Sequence, residues 1–262
     1  MANFTITPES NDFNQPSNLT GRQIVAKVLM GLAIGGIISA LLFIVVSFTG
    51  SMFTSALGQQ GADFTSSNPL LPLILLFIGF ISTFIGNIAV AGIYSLFYSK
   101  KYYNATKMFG ILFLTNGILF FILAPVYIVF GSQIETLFVI LGFHVLFSIF
   151  ASASQIEFTS NPNYSASALM GNILGFAFAL LLYGVIYKIS ASSAPEQRIY
   201  LFMILPALLG YTLLPFGSGI REKIYYKFYE MGNNGFYIPS PGEEEEVAGG
   251  PSAPEEINVE NK

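Results

Sequence analysis

The chain contains one histidine, His144, and no cysteine. Thiolate metal sites, cysteine nucleophiles and disulfides are therefore excluded, and a multi-histidine metal site is excluded with them. His144 stands in the run Gly142-Phe143-His144, inside an apolar stretch. An imidazole there can act as a proton-sensitive gate or a solute ligand. Its plainer role is a neutral ring hydrogen-bonded to a neighbouring helix. No serine in reach of His144 forms a nucleophile motif, so a Ser-His hydrolase has no support.

Three asparagines also fall in apolar stretches, and each is followed eleven residues later by a tyrosine: Asn87 by Tyr98, Asn116 by Tyr127, Asn172 by Tyr183. Eleven steps of about 100° return close to the starting direction, so each pair shares a helix face about three turns apart. Facing one another, the asparagines would line a polar site between the second, third and fifth helices. The alternative is three separate interhelical hydrogen bonds, with the tyrosines at the membrane interface.

Charged chemistry is missing from the interiors of these stretches as bounded below. Lys27, Glu135, Lys188 and Arg198 fall at their ends, where a long side chain can reach water. The pattern lacks the carboxylate relay of a proton-coupled pump, the paired carboxylates of an aspartyl hydrolase and a zinc-binding His-Glu set. No phosphate-binding loop, dinucleotide fingerprint or nucleic-acid motif occurs. The sequence implies no enzyme activity, no cofactor and no metal.

The elements that must carry these residues follow from composition. Of 262 residues, 53% are hydrophobic and 10% charged, where soluble domains carry about 25% charge. Six apolar runs lie near 24–48, 70–97, 108–130, 134–154, 166–189 and 199–217. Each approaches or exceeds the roughly 20 residues that cross a bilayer as a helix. Hydrocarbon offers the backbone no partner, so these runs must be helical. The predicted fold is all-α, a polytopic membrane bundle of six transmembrane helices. The 49–69 segment is the only sizeable outer loop, and Pro125, Pro206 and Pro215 should bend or end the third and sixth helices.

Basic residues predict the orientation. Arg22, Lys27, Lys100, Lys101, Lys107, Arg221, Lys223 and Lys227 fall on one side, and only Lys188 and Arg198 on the other. Eight against two places both termini in the cytoplasm. Gly31, Gly35 and Ser39 form a small-residue stripe suited to close helix packing, with Gly79, Thr83 and Gly86 forming a looser one on the second helix.

Outside the 22–219 membrane domain, residues 1–21 read as a flexible polar leader. Residues 220–231 read as a short basic amphipathic juxtamembrane helix, with Arg221, Lys223 and Lys227 near lipid headgroups; a continuation of the sixth helix is the alternative. Residues 232–262 hold seven glutamates and one lysine, a balance of -6. They read as a disordered acidic tail, available to a basic cytoplasmic partner or simply solubilising. The function this supports is non-enzymatic: a structural or scaffolding subunit of a membrane complex, with the bilayer and other membrane proteins as partners. The alternative is a facilitator, permease subunit or channel for a small neutral or apolar solute, using Asn87, Asn116, Asn172 and His144.

Overall fold

The computed structural model describes residues 20–57, 70–94, 105–130, 134–160, 165–192 and 195–235. They form six helices: α1 (Gly21–Leu57), α2 (Leu71–Tyr94), α3 (Ala105–Phe130), α4 (Ile134–Ser160), α5 (Ser165–Ile189) and α6 (Pro195–Gly235). A 3-10 turn over Ser190–Ser192 follows α5. All six helices are long and apolar enough to cross a membrane. The protein is a multi-pass, all-helical membrane protein.

Local signals set several helix starts. Thr20 caps α1: its hydroxyl accepts from the Gln23 amide at 3.3 Å, and the Gln23 side chain accepts from the Thr20 amide at 2.8 Å. This reciprocal pair satisfies two amides that a helix start leaves orphaned. Pro72 falls in the first turn of α2 and Pro195 opens α6, where a missing N–H removes no helical bond. Within the helices, Thr49, Thr83 and Thr159 donate their hydroxyls back to the carbonyls of Val45, Gly79 and Gln155 at 2.7–2.8 Å. A hydroxyl satisfied by its own helix can sit in lipid.

Three boundaries differ from the sequence reading, and of the two roles expected of the prolines, bending or ending a helix, the second is removed. α1 continues to Leu57, so the first residues of the expected 49–69 loop are helical; residues 58–69 lie outside the described ones. α4 continues to Ser160, past the expected end at 154, and takes Glu157 into its buried face. Pro125, Pro206 and Pro215 end no helix, because α3 and α6 run through them. The expected juxtamembrane helix over 220–231 is not a separate element. It is the uninterrupted end of α6, whose 41 residues extend about 62 Å at 1.5 Å per residue. The leader to residue 19 and the tail from residue 236 fall outside the described residues.

The bundle is built around α4 and α6. α4 packs against α2, α3, α5 and α6, and α6 packs against α1, α4 and α5. α3 is peripheral: it touches α2 and α4, and its buried residues are Met108, Leu112, Asn116 and Tyr127. With six crossings, the start of α1 and the end of α6 share one end of the bundle, where Gly21 lies beside Lys223. Arg22, Lys107, Arg221, Lys223 and Lys227 gather there too, and this is called the basic end below.

Candidate functional site: a polar cluster inside the bundle

Polar side chains from four helices meet at the centre. Asn87 of α2 donates to the hydroxyls of Ser152 at 2.8 Å and Ser148 at 3.1 Å, both on α4. Asn116 of α3 donates to Ser152 at 3.1 Å and to its own helix at the Leu112 carbonyl, 2.7 Å. The Ser148 hydroxyl donates to the Asn116 side-chain oxygen. The Tyr211 hydroxyl of α6 completes the set, donating to the Asn87 oxygen at 2.9 Å. All five side chains are buried, Asn87 and Asn116 at 1% exposure.

The helical repeat explains why α4 supplies two members. His144, Ser148 and Ser152 are spaced by four, so they form one stripe along α4. His144 is the next polar group along that stripe. Its Nδ1 lies 3.2 Å from the Tyr127 hydroxyl of α3, with the two rings edge to face. Gly79 of α2 permits this packing, because a Cβ there would come 2.9 Å from Nδ1.

The three asparagines do not share one site. Asn87 and Asn116 meet, whereas Asn172 lies on α5 near the basic end, beside Gly171, which packs on Ser218 and Arg221 of α6. The Asn172 side-chain nitrogen is buried without a hydrogen-bond partner among the described residues. The two described tyrosines of these pairs are covered by protein. Tyr127 is fully buried against His144, and Tyr183 is buried with its hydroxyl packed over Gly142 of α4; Tyr98 lies outside the described residues. The eleven-residue spacing turned both tyrosines to the same inward face as their asparagines, and that face is covered by protein.

Two charges are also inside. Lys27 is 0% exposed and Glu157 is 3% exposed. This corrects both the placement of Lys27 in reach of water and the absence of a carboxylate from the helix interiors. Neither is free of interactions. Of the other cations, Arg221 is half-buried at the end of the α6 span, and Lys223 and Lys227 are exposed beyond it. Among the described residues no three His, Asp or Glu side chains come together as a metal-ligand set.

Small residues bring α6 against both α1 and α5. Gly31 and Gly35 of α1 face the α6 backbone: a Cβ on Gly31 would overlap the Tyr211 carbonyl oxygen, and one on Gly35 would come 2.9 Å from that of Ala207. Ser39 donates to the Ile204 carbonyl at 2.8 Å. On the other flank, Gly171 and Gly175 of α5 meet Gly217, Ser218 and Leu213 of α6 at similar closeness. The sequence reading missed this second seam, although Gly171-Asn172-Ile173-Leu174-Gly175 carries the small-xxx-small spacing. It also missed Tyr211, which no local pattern marks.

Pro215 shapes the same region. Proline has no N–H, so it leaves the carbonyl four residues earlier without its helical donor. That carbonyl belongs to Tyr211, and it points at Gly31, where the missing side chain lets a Cα–H take the donor's place. Beside Tyr211 and Pro215 lies a cavity of about 10 Å3, lined also by Asn87, Val90, Ala153 and Ile156. It is at the lower limit for one water molecule.

No family model, no curated protein and no solved structure matches this chain. Its function is argued from the geometry alone.

Proposed function

We propose that the protein is a non-enzymatic membrane subunit or scaffold, working through its lipid-facing surface. The observation that carries this reading is the closed polar centre among the described residues. The central polar groups are one another's partners, and the space beside them is about 10 Å3. Two larger hollows among the described residues open outward. One of about 340 Å3 lies between α2 and α3 and is walled by Phe77, Phe80, Phe113 and Phe121. Another of about 410 Å3 lies between α1 and α6, around Gly36, Ala40 and Leu208. Hollows of this kind accept side chains of a partner helix, because close van der Waals fit is what drives association in lipid. Purification in mild detergent tests the reading. A stoichiometric membrane partner supports it, and a lone particle with no partner overturns it.

The basic end faces the cytoplasm in this proposal, on the strength of eight cations against two. Lys223 and Lys227 then lie where anionic headgroups attract them, and the acidic segment after residue 235 is presented to cytoplasmic partners with basic surfaces. Reporter fusions at Ala2 and Lys262 check this, and an external signal from either one refutes it.

A second reading is favoured by one specific observation. The cavity lies directly against the polar cluster, and Glu157 and Lys27 are buried toward the same end of the bundle. Buried polar and ionisable groups in a membrane protein are costly and commonly line solute paths. This reading is a facilitator for a small neutral solute. Vesicle swelling in glycerol or urea gradients tests it, and rates equal to protein-free vesicles refute it.

A further inference from the structure

We propose that the Asn87–Asn116–Ser148–Ser152–Tyr211 cluster is an occluded binding site for a small uncharged solute that both donates and accepts hydrogen bonds, reached from the basic end when α6 bends at Pro215. The proposal rests on the facilitator reading for its biological use, though not for its chemistry.

The direction of access follows from helix polarity. α2, α4 and α6 all run toward the basic end. Val90 therefore lies beyond Asn87, Ala153 and Ile156 beyond Ser152, and Leu214 and Pro215 beyond Tyr211, each on the basic side. Together with Asn87, Tyr211 and Ile149, which lie level with the cluster, these residues are the walls of the cavity. Three helices thus agree that the empty space lies under the cluster, toward the basic end. The position of the proline gives the space a means of opening. Pro215 removes one helical hydrogen bond at the level of the cavity, and helices bend where a proline interrupts the ladder. The segment beyond it reaches Gly235, past the end of the α6 span at Arg221.

The ligand class follows from the cluster's groups. Two carboxamides, two hydroxyls and a phenol offer donors and acceptors in one place and carry no charge. A solute that displaces their mutual bonds must replace both kinds. Urea, simple amides and short polyols do so. An ion does not, since no side chain in the cluster compensates its desolvation.

The absence of native cysteine makes the test direct. Ala153→Cys places one thiol on the cavity wall. In sided vesicles, a small membrane-impermeant thiol reagent is applied to one face at a time. The expected result is labelling from the basic end, slowed by molar urea or glycerol. Restoring the helical bond with Pro215→Ala should slow labelling about five-fold, the factor supplied by one ordinary hydrogen bond. Pro206→Ala, which lies away from the cavity, should leave the rate unchanged and also reports whether loss of a proline disturbs folding. A thiol silent from both faces overturns the proposal. So does one labelled from the opposite end, or one labelled equally fast in Pro215→Ala. Labelling that neither urea nor glycerol slows overturns the assigned ligand class. Labelling and protection without solute flux would leave the site standing and remove only the facilitator reading.

Discussion

Toward α1 and α5, helix α6 meets bare backbone; toward α2, its Tyr211 hydroxyl meets hydrogen-bonding groups, the Asn87 side chain and the Thr83 carbonyl. The first contacts depend on the absence of atoms. Gly31, Gly35, Gly171 and Gly175 let carbonyl oxygens of α6 approach where any side chain would collide. The second contacts depend on the presence of particular atoms, and each member of the polar cluster has two or more partners. In water both kinds of interface would be reinforced by burying apolar area. In lipid that drive between helices is missing, so shape and polar bonding must do the work. The difference between them lies in tolerance. A glycine seam fails at the first added carbon, whereas a shared network loses one bond at a time.

The largest expected effect therefore comes from the seam. Gly31→Ala puts a methyl into the Tyr211 carbonyl oxygen and Gly175→Ala puts one into that of Leu213. Both obstacles are backbone, so no rotamer change relieves them. Each substitution should cost at least the upper part of the roughly 1–3 kcal/mol typical of overpacking. Gly36→Ala on the same helix meets nothing within 4 Å and should be neutral or slightly stabilising through helix propensity. Reversible unfolding in mixed micelles measures the three together. Equal stability of Gly31→Ala and Gly36→Ala would remove the seam from the account.

Next comes the network. Asn87→Leu removes the side chain that joins α2 to both α4 and α6 and leaves the Tyr211 hydroxyl only its longer bond to the Thr83 carbonyl at 3.3 Å. A buried group left unmade costs about 1–3 kcal/mol, while polar contacts between membrane helices average nearer ~0.6 kcal/mol. A loss of about 1–2 kcal/mol is expected between these limits. Tyr211→Phe deletes one hydroxyl with its bonds to Asn87 at 2.9 Å and the Thr83 carbonyl at 3.3 Å and leaves the rest of the cluster paired, so it should cost less, about 0.6 kcal/mol. The double variant should fall short of the sum, because the shared bond can be lost only once. Strict additivity would mean that the two side chains do not interact.

How far the sequence led can be judged from these same residues. The six crossings were legible because backbone satisfaction in lipid forces helices wherever apolar runs reach spanning length. Gly31, Gly35 and Ser39 stood out because their spacing of four is local. Tyr211 was not legible: its bond to Asn87 joins positions 124 apart, and nothing beside it in the chain marks it as inward-facing. Glu157 was missed for a different reason. The apolar run weakens at Ser152 and Ser154, but α4 continues to Ser160, so the carboxylate falls inside the helix and on its buried face. Hydropathy measures how apolar a stretch is and says nothing of which way each side chain turns. Lys27 shows the same limit: closeness to a run's end does not place a side chain in water when other helices cover it.

The smallest expected effect separates the two kinds of contact most sharply. Ser39 contributes a polar bond within the glycine seam, its hydroxyl donating to the Ile204 carbonyl at 2.8 Å. That carbonyl lies inside α6, where the Leu208 amide is its helical donor, so removing the hydroxyl orphans no backbone group. Ser39→Ala keeps the small size and deletes only the extra bond. It should cost no more than about 0.6 kcal/mol, and some of that returns because alanine favours the helix. Ser39→Leu, in contrast, adds bulk beside Ile204 but borders the hollow between α1 and α6, so it should cost more than Ser39→Ala and less than Gly31→Ala. If Ser39→Ala instead destabilises as much as Asn87→Leu, the α1–α6 contact is held by its hydrogen bond rather than by its closeness. The distinction between the two sides of α6 would then disappear.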